Sequence, residues 1–183
     1  VTVSGAPTAT AAITAKALNV TATGTSRAYN QLTTATVTLA DDRVAGDVLT
    51  TAYTSATFAD KNVGTGKTVT VTGISISGTD SVNYTANTST TTTANITAKA
   101  LAVTITASNK TYDGNTTASV TYADNRVVGD VFTVSGTATF ATKAVGTGKT
   151  VTANSIALTG TDAANYAPNS STTNTANITA KTL

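Results

Sequence analysis

The four residues Ile-Thr-Ala-Lys occur three times, at Ile13–Lys16, Ile96–Lys99 and Ile178–Lys181, with the isoleucines 83 and 82 positions apart. A fixed period of this length makes each stretch between boxes one structural module, since a segment is reusable only if it buries its apolar face against the same neighbours each time. The period divides the chain into four parts. Residues 1–16 read as the C-terminal strand or strands of a preceding partial repeat, 17–99 as one β module, 100–181 as a second, and 182–183 as the start of a further repeat. Side-chain parity changes at each box. Ile96 and Ala98 fall on one face of an extended chain, Leu101, Val103 and Ile105 on the other. The switch at Lys99 and Ala100 contains no Gly or Pro, so the joint has little of the freedom of a Gly/Ser linker. Contact between the modules is expected only around Lys99–Ala100.

Composition then sets the class. About a quarter of the residues are Thr, and Glu, His, Cys, Met and Trp are absent. Thr and Val are stiff at χ1 and fit a pleated surface, so strands are favoured. The good helix formers are nearly missing, which argues against long helices. The expected fold is all-β: two tandem small antiparallel β-sandwich modules, immunoglobulin-like or β-grasp-like, placed end to end after a partial third module. Alternating apolar residues mark the strands. The inward set in the second module is Leu101, Val120, Val131, Phe140, Val145, Ile156, Tyr166 and Ile178. Residues 48–58 read as one long or bent strand. Val69 and Val71 change parity with Ile74 and Ile76, so Gly73 marks a bulge or sharp bend.

The net charge of +2 offers no basic stripe for nucleic acid, and no apolar run reaches membrane-spanning length. Without His or Cys a nucleophile triad is unavailable, so no catalytic residue and no cofactor are expected. Asp41, Asp42, Asp47, Asp124 and Asp130 are thin candidates for Ca²⁺, which wants several carboxylates close together; turn residues and Asp–Arg pairs are the plainer reading. Gly64–Thr68 and Gly146–Thr150 look like the end of a phosphate loop, but a Thr/Val strand follows where a helix is needed. They read as hairpin turns. Asp80 with Tyr84, and Asp162 with Tyr166, share a spacing of four. That resembles the tyrosine corner of immunoglobulin-like domains, where the hydroxyl caps a loop backbone. Tyr29 and Tyr112 read as packing residues rather than sugar platforms. A Lys–Asn crosslink would need a buried acid beside the pair, and the sequence names no such trio. Several Asn-x-Thr triplets, Asn95-Ile96-Thr97 among them, are what a Thr-rich chain supplies by chance.

The motifs of the second module come in a specific order: Lys110-Thr111-Tyr112-Asp113-Gly114, Ala138–Ala141, Val145–Val151, Gly160–Tyr166 and Ile178–Lys181. In this it resembles the YDG repeat of large bacterial surface proteins of adhesin or haemagglutinin type, related to MBG repeats. The first module departs at the name-giving motif, with Tyr29-Asn30-Gln31. The resemblance implies an extracellular, non-enzymatic β module at a bacterial cell surface. The function expected is a stiff stalk or fibre segment whose partners are neighbouring repeats or identical subunits. A donor-strand filament subunit, a glycan-binding module and an ice-binding Thr surface are the alternatives. An end strand such as residues 1–16, with Val3 and Ile13, has the length for donor-strand exchange, and Leu183 opens a module of its own.

Overall fold

The computed structural model describes residues 10–182. Strands make up the regular structure of these residues, apart from two single-turn 3₁₀ helices, Ser81–Asn83 and Ala163–Asn165. No helix among them is long and apolar enough to cross a membrane. The chain forms two compact units. Unit 1 holds the described part of Val1–Thr25, then Thr33–Ala59 and Gly66–Ala94. Unit 2 holds Ser26–Leu32, Asp60–Thr65 and the described residues from Asn95 onward.

In unit 1, Lys16–Leu18 pairs in parallel with Tyr84–Ala86, and Thr21–Gly24 pairs antiparallel with Val37–Ala40. Ser55–Phe58 pairs antiparallel with the Val69–Thr72 part of a longer strand, and Thr50–Ala52 with Ser75–Ser77. Leu18, Val20, Phe58, Val69 and Val71 are among its buried side chains. In unit 2, Lys99–Leu101 runs parallel to Tyr166–Pro168, and Val103–Ala107 antiparallel to Val120–Asp124. A four-stranded sheet follows the order Lys110–Thr111, Ser171–Thr179, Gly146–Thr159, Thr133–Phe140; its first pair is parallel and the others antiparallel. Ile105, Phe140, Val151, Ala153 and Ile178 pack together as its core.

The sheets are therefore mixed, not purely antiparallel. A parallel pair needs a long crossover, and here nearly the whole repeat serves as one, leading from Leu18 to Tyr84 and from Leu101 to Tyr166. The parity switch at the box has the same origin. One strand ends at Thr97, a new one begins at Lys99, and the two pair with different partners. Residues 48–58 do not form one strand. Thr54 sits against Gly73 and its N–H bonds Thr72, so the chain changes partners there. The second repeat is shorter at this point and runs unbroken from Thr133 to Phe140.

The expectation of a bulge or sharp bend is met differently in the two repeats: at Gly73 the strand breaks and bends with its register unchanged, Ala52 opposite Ser75 and Ser55 opposite Thr72, and the second repeat has the bulge. Gly73 has φ +67, and its counterpart Ser155 has φ +54. Opposite Ser155 the register slips between Ser135 and Thr137, which places the extra residue on the Ser155 strand. Two members of the expected core face outward: Val131 is 66% exposed and Val145 53% exposed. Phe132 takes the buried place beside Val131. Modules touching only at Lys99–Ala100 is also corrected, because unit 2 includes two loops of the first repeat. Residues 10–15 carry no regular strand and Ile13 is fully exposed. The readings placed on Val3, on the rest of residues 1–9 and on Leu183 lie outside the described residues.

Candidate functional site

The side chains of greatest chemical interest sit in the turns that end each repeat's parallel strand pair. In unit 1, the single turn Ser81–Asn83 delivers Tyr84 onto a strand with its ring buried. The Tyr84 hydroxyl accepts the Val44 N–H at 2.9 Å and donates to Asp47 Oδ2. Asp80 Oδ2 accepts the Val48 N–H at 2.7 Å. The hydroxyl thus ties a loop backbone, the role read from the spacing of Asp80 and Tyr84. Unit 2 repeats the scheme. Tyr166 Oη accepts from Val127 N–H at 2.9 Å and donates to Asp130 Oδ2 at 2.6 Å, and Asp162 Oδ2 accepts from Val131 N–H.

Unit 2 then adds a layer. Asp130 Oδ1 accepts from the Tyr29 hydroxyl at 3.1 Å and from Gln31 Nε2 at 2.7 Å. Lys61 Nζ lies 3.7 Å from Asp130 Oδ1 and 3.4 Å from Asp162 Oδ1. Asn165 Oδ1 accepts the Val63 N–H at 2.9 Å. The Tyr29 ring meets Tyr166 edge-on, with centroids 5.6 Å apart. A buried carboxylate is costly unless its lone pairs are used; at Asp130 hydrogen bonds reach both oxygens. Burial alone would push the Asp130 carboxyl up. Donation from Tyr166, Gln31 and Tyr29 and the charge of Lys61 outweigh burial and hold it below the usual carboxylate range. The Tyr166 phenol is pushed up to about 12 by burial and by its bond to Asp130, and Tyr29 is raised for the same two reasons.

The five carboxylates considered as cation ligands have other partners. Asp41 and Asp124 each hold an arginine through two oxygens, Arg43 at 2.7 and 2.6 Å and Arg126 at 2.8 and 2.6 Å. Those guanidiniums hold both carboxyls low against the effect of burial. Asp42 accepts from the Asn19 N–H, Asp47 from Tyr84, and Asp130 belongs to the cluster just described. Among the described residues no three His, Cys, Asp or Glu side chains gather as a metal site would require. Gly66 and Gly148, at φ +58 and +59, lie inside the strands Gly64–Thr72 and Gly146–Thr159 and not in the expected hairpin turns; Gly148 falls where the register against Ser171–Thr179 slips between Gly146 and Lys149, a bulge. Lys99 and Ala100 pair with Tyr166 and Ala167 in register. A Lys–Asp–Asn trio does meet, at Lys110, Asp113 and Asn115, but as a loop clamp with Asp113 about half exposed (47%).

Sequence reasoning missed the assembly of Tyr29, Lys61 and Asp130. Of the two tyrosines read as packing residues, Tyr29 is buried (1% exposed) and Tyr112 is not (37%). The arrangement ties loop backbone N–H groups to buried side chains.

Tandem all-β repeats whose closing turn is tied by an Asp–Tyr pair are the class of protein this geometry defines. The chain belongs to the YDG domain family, whose model matches residues 14–93 and again 97–176. No curated protein and no solved structure matches the chain.

Proposed function

We propose that the chain is a load-bearing spacer, a stalk segment of an adhesin-like protein at a bacterial cell surface. One observation carries this reading. In each repeat both the first and the last strand are held in parallel pairs: the first runs beside the next-to-last, Lys16–Leu18 with Tyr84–Ala86 and Lys99–Leu101 with Tyr166–Pro168, and the last beside a short early strand, Ser89–Thr97 with Arg27–Ala28 and Ser171–Thr179 with Lys110–Thr111. Tension applied through the ends of a repeat shears such pairs, so all their hydrogen bonds are loaded together. An antiparallel hairpin pulled apart at its open end gives way one bond at a time. The parallel end strands also favour the β-grasp-like topology over the immunoglobulin-like one, whose sheets are antiparallel. Kinship with MBG repeats belongs to the same proposal. Lack of Cys and Met suits an exposed life, since these are the side chains most readily oxidised.

Force spectroscopy tests the reading directly, because a Cys-free chain accepts handles at chosen sites. Handles at Thr10→Cys and Thr182→Cys load the ends. Handles at Thr133→Cys and Thr159→Cys, which are cross-strand partners, unzip one hairpin. The end-loaded chain is expected to resist the larger force. An equal or smaller end-loaded force would remove the load-bearing role. Antibody labelling of intact producing cells tests the location.

A further inference from the structure

The cluster in unit 2 is built from two halves, and the repeat encodes each half twice. One half is Tyr29, Lys61 and Val63, whose counterparts 83 or 82 positions on are Tyr112, Lys143 and Val145. The other is Asp130, Asp162 and Asn165, whose counterparts in the first repeat are Asp47, Asp80 and Asn83. Where the halves meet they are covered: Tyr29 is 1% exposed and Asn165 2%. The counterparts are open. Tyr112 is 37% exposed and Val145 53% on unit 2, and Asn83 is exposed on unit 1 beside Val82 at 83%.

We propose that these open counterparts are two halves of one repeat-to-repeat docking site. Tyr112, Lys143 and Val145 form the donor half; Asp47, Asp80 and Asn83 form the acceptor half. The occupant of each is a further copy of this repeat, joined through an Ile-Thr-Ala-Lys box. Charge fits: the donor presents an ammonium and the acceptor two carboxylates. Atom usage fits as well. Asp47 and Asp80 are engaged through Oδ2. In Asp130 and Asp162 it is Oδ1 that receives Tyr29, Gln31 and Lys61. Shape agrees too. A groove of about 260 Å³ on unit 1 is lined by Asp47, Asn83 and Tyr84 together with Ile13–Lys16.

That lining selects the occupant. The equivalent box in unit 2 serves both halves, since Ile96 and Thr97 pair with Arg27 and Ala28 while Lys99 pairs with Tyr166. Ile96 is 1% exposed, whereas Ile13, its counterpart in the first box, is fully exposed. A donor repeat joined through the box sets a strand against Ile13 as Arg27–Ala28 is set against Ile96 and Thr97. Gly114 and Ala144 replace Gln31 and Asn62, so this site makes fewer polar contacts than the one seen in unit 2.

The test is a tandem fusion in which Lys181 of one full chain continues into Ala17 of a second. Val145→Cys in the first copy and Asn83→Cys in the second form the diagnostic pair. Val63→Cys with Asn165→Cys, spanning contacts already described, is the reference. Thr104→Cys with Asn83→Cys is the control. Oxidation should close the diagnostic pair at a rate close to the reference and about tenfold or more above the control, as expected for groups held at high effective concentration. Lys143→Glu should slow it. A diagnostic pair no faster than the control, beside a reference pair that closes, would overturn the proposal. The inference holds wherever the protein works, and its failure leaves the force measurement unaffected.

Discussion

A single backbone angle shows how far residue-level reasoning reaches. The parity change from Val71 to Ile74 located a break at Gly73 from sequence, because strand side chains alternate and a bend or an extra residue interrupts the alternation. The angle itself, φ +67, and the crowding were not legible. A Cβ on Gly73 would lie 2.3 Å from Thr54 Oγ1, and Thr54 comes from the bend between two strands 19 residues earlier. Gly73→Val therefore meets both a left-handed backbone and a clash, and should lower stability by roughly 1–3 kcal/mol. The second repeat offers the reverse experiment. Ser155 holds φ +54 with a side chain in place. Ser155→Gly relieves that conformation but adds chain entropy to the unfolded state, for a net gain of about 0.5 kcal/mol. Urea unfolding of the two variants reads both effects; equal midpoints would show that this backbone carries no special strain.

At the scale of elements, the turns were the legible part of the candidate site. Asp and Tyr four residues apart, repeated at one period, are enough to place a hydroxyl near a loop backbone. The second layer was not legible, and the reason is specific. Tyr29 and Tyr112 stand in aligned positions, in Ala28-Tyr29-Asn30-Gln31 and Thr111-Tyr112-Asp113-Gly114, and both follow a short strand, yet only Tyr29 finds an acceptor at Asp130, about a hundred positions away. Local pattern carries no information about which copy of a motif is covered. The same blindness misplaced Val131 and Val145 in the core, since alternation continues into turns where no core remains. The difference between the tyrosines gives a paired test. Tyr29→Phe removes one donor from a buried carboxylate and should cost about 1–2 kcal/mol. Tyr112→Phe should change stability by less than about 0.5 kcal/mol, as is usual for an exposed site. Comparable losses at both positions, read from thermal midpoints, would contradict the assignment of Tyr29 to the cluster.

For the whole molecule, the chemistry of the side chains fixes how stability responds to pH. The chain has no His or Cys, the side chains that ordinarily titrate between the carboxylates and the phenols. Two sets of shifted acids set the response. Asp41, Asp42, Asp113, Asp124 and Asp130 are lowered in the folded state. Their contribution is fully present above the unfolded carboxylate value of about 4 and is lost as pH falls through the folded values below it. Tyr29 and Tyr84 are raised, and Tyr166 is raised to about 12. A raised phenol stabilises the fold below the unfolded value of about 10, and that contribution disappears as pH climbs toward the folded value. The expected profile is a plateau from about pH 5 to 9, with acid and alkaline shoulders of separate origin. Thermal midpoints measured across that range check the plateau. The alkaline shoulder should shrink in Tyr166→Phe, which has no phenol to ionise, and the acid shoulder should shrink in Asp130→Asn. A midpoint that moves steadily between pH 6 and 8, in a chain without a histidine, would mean that the carboxylates and phenols identified here do not govern its stability.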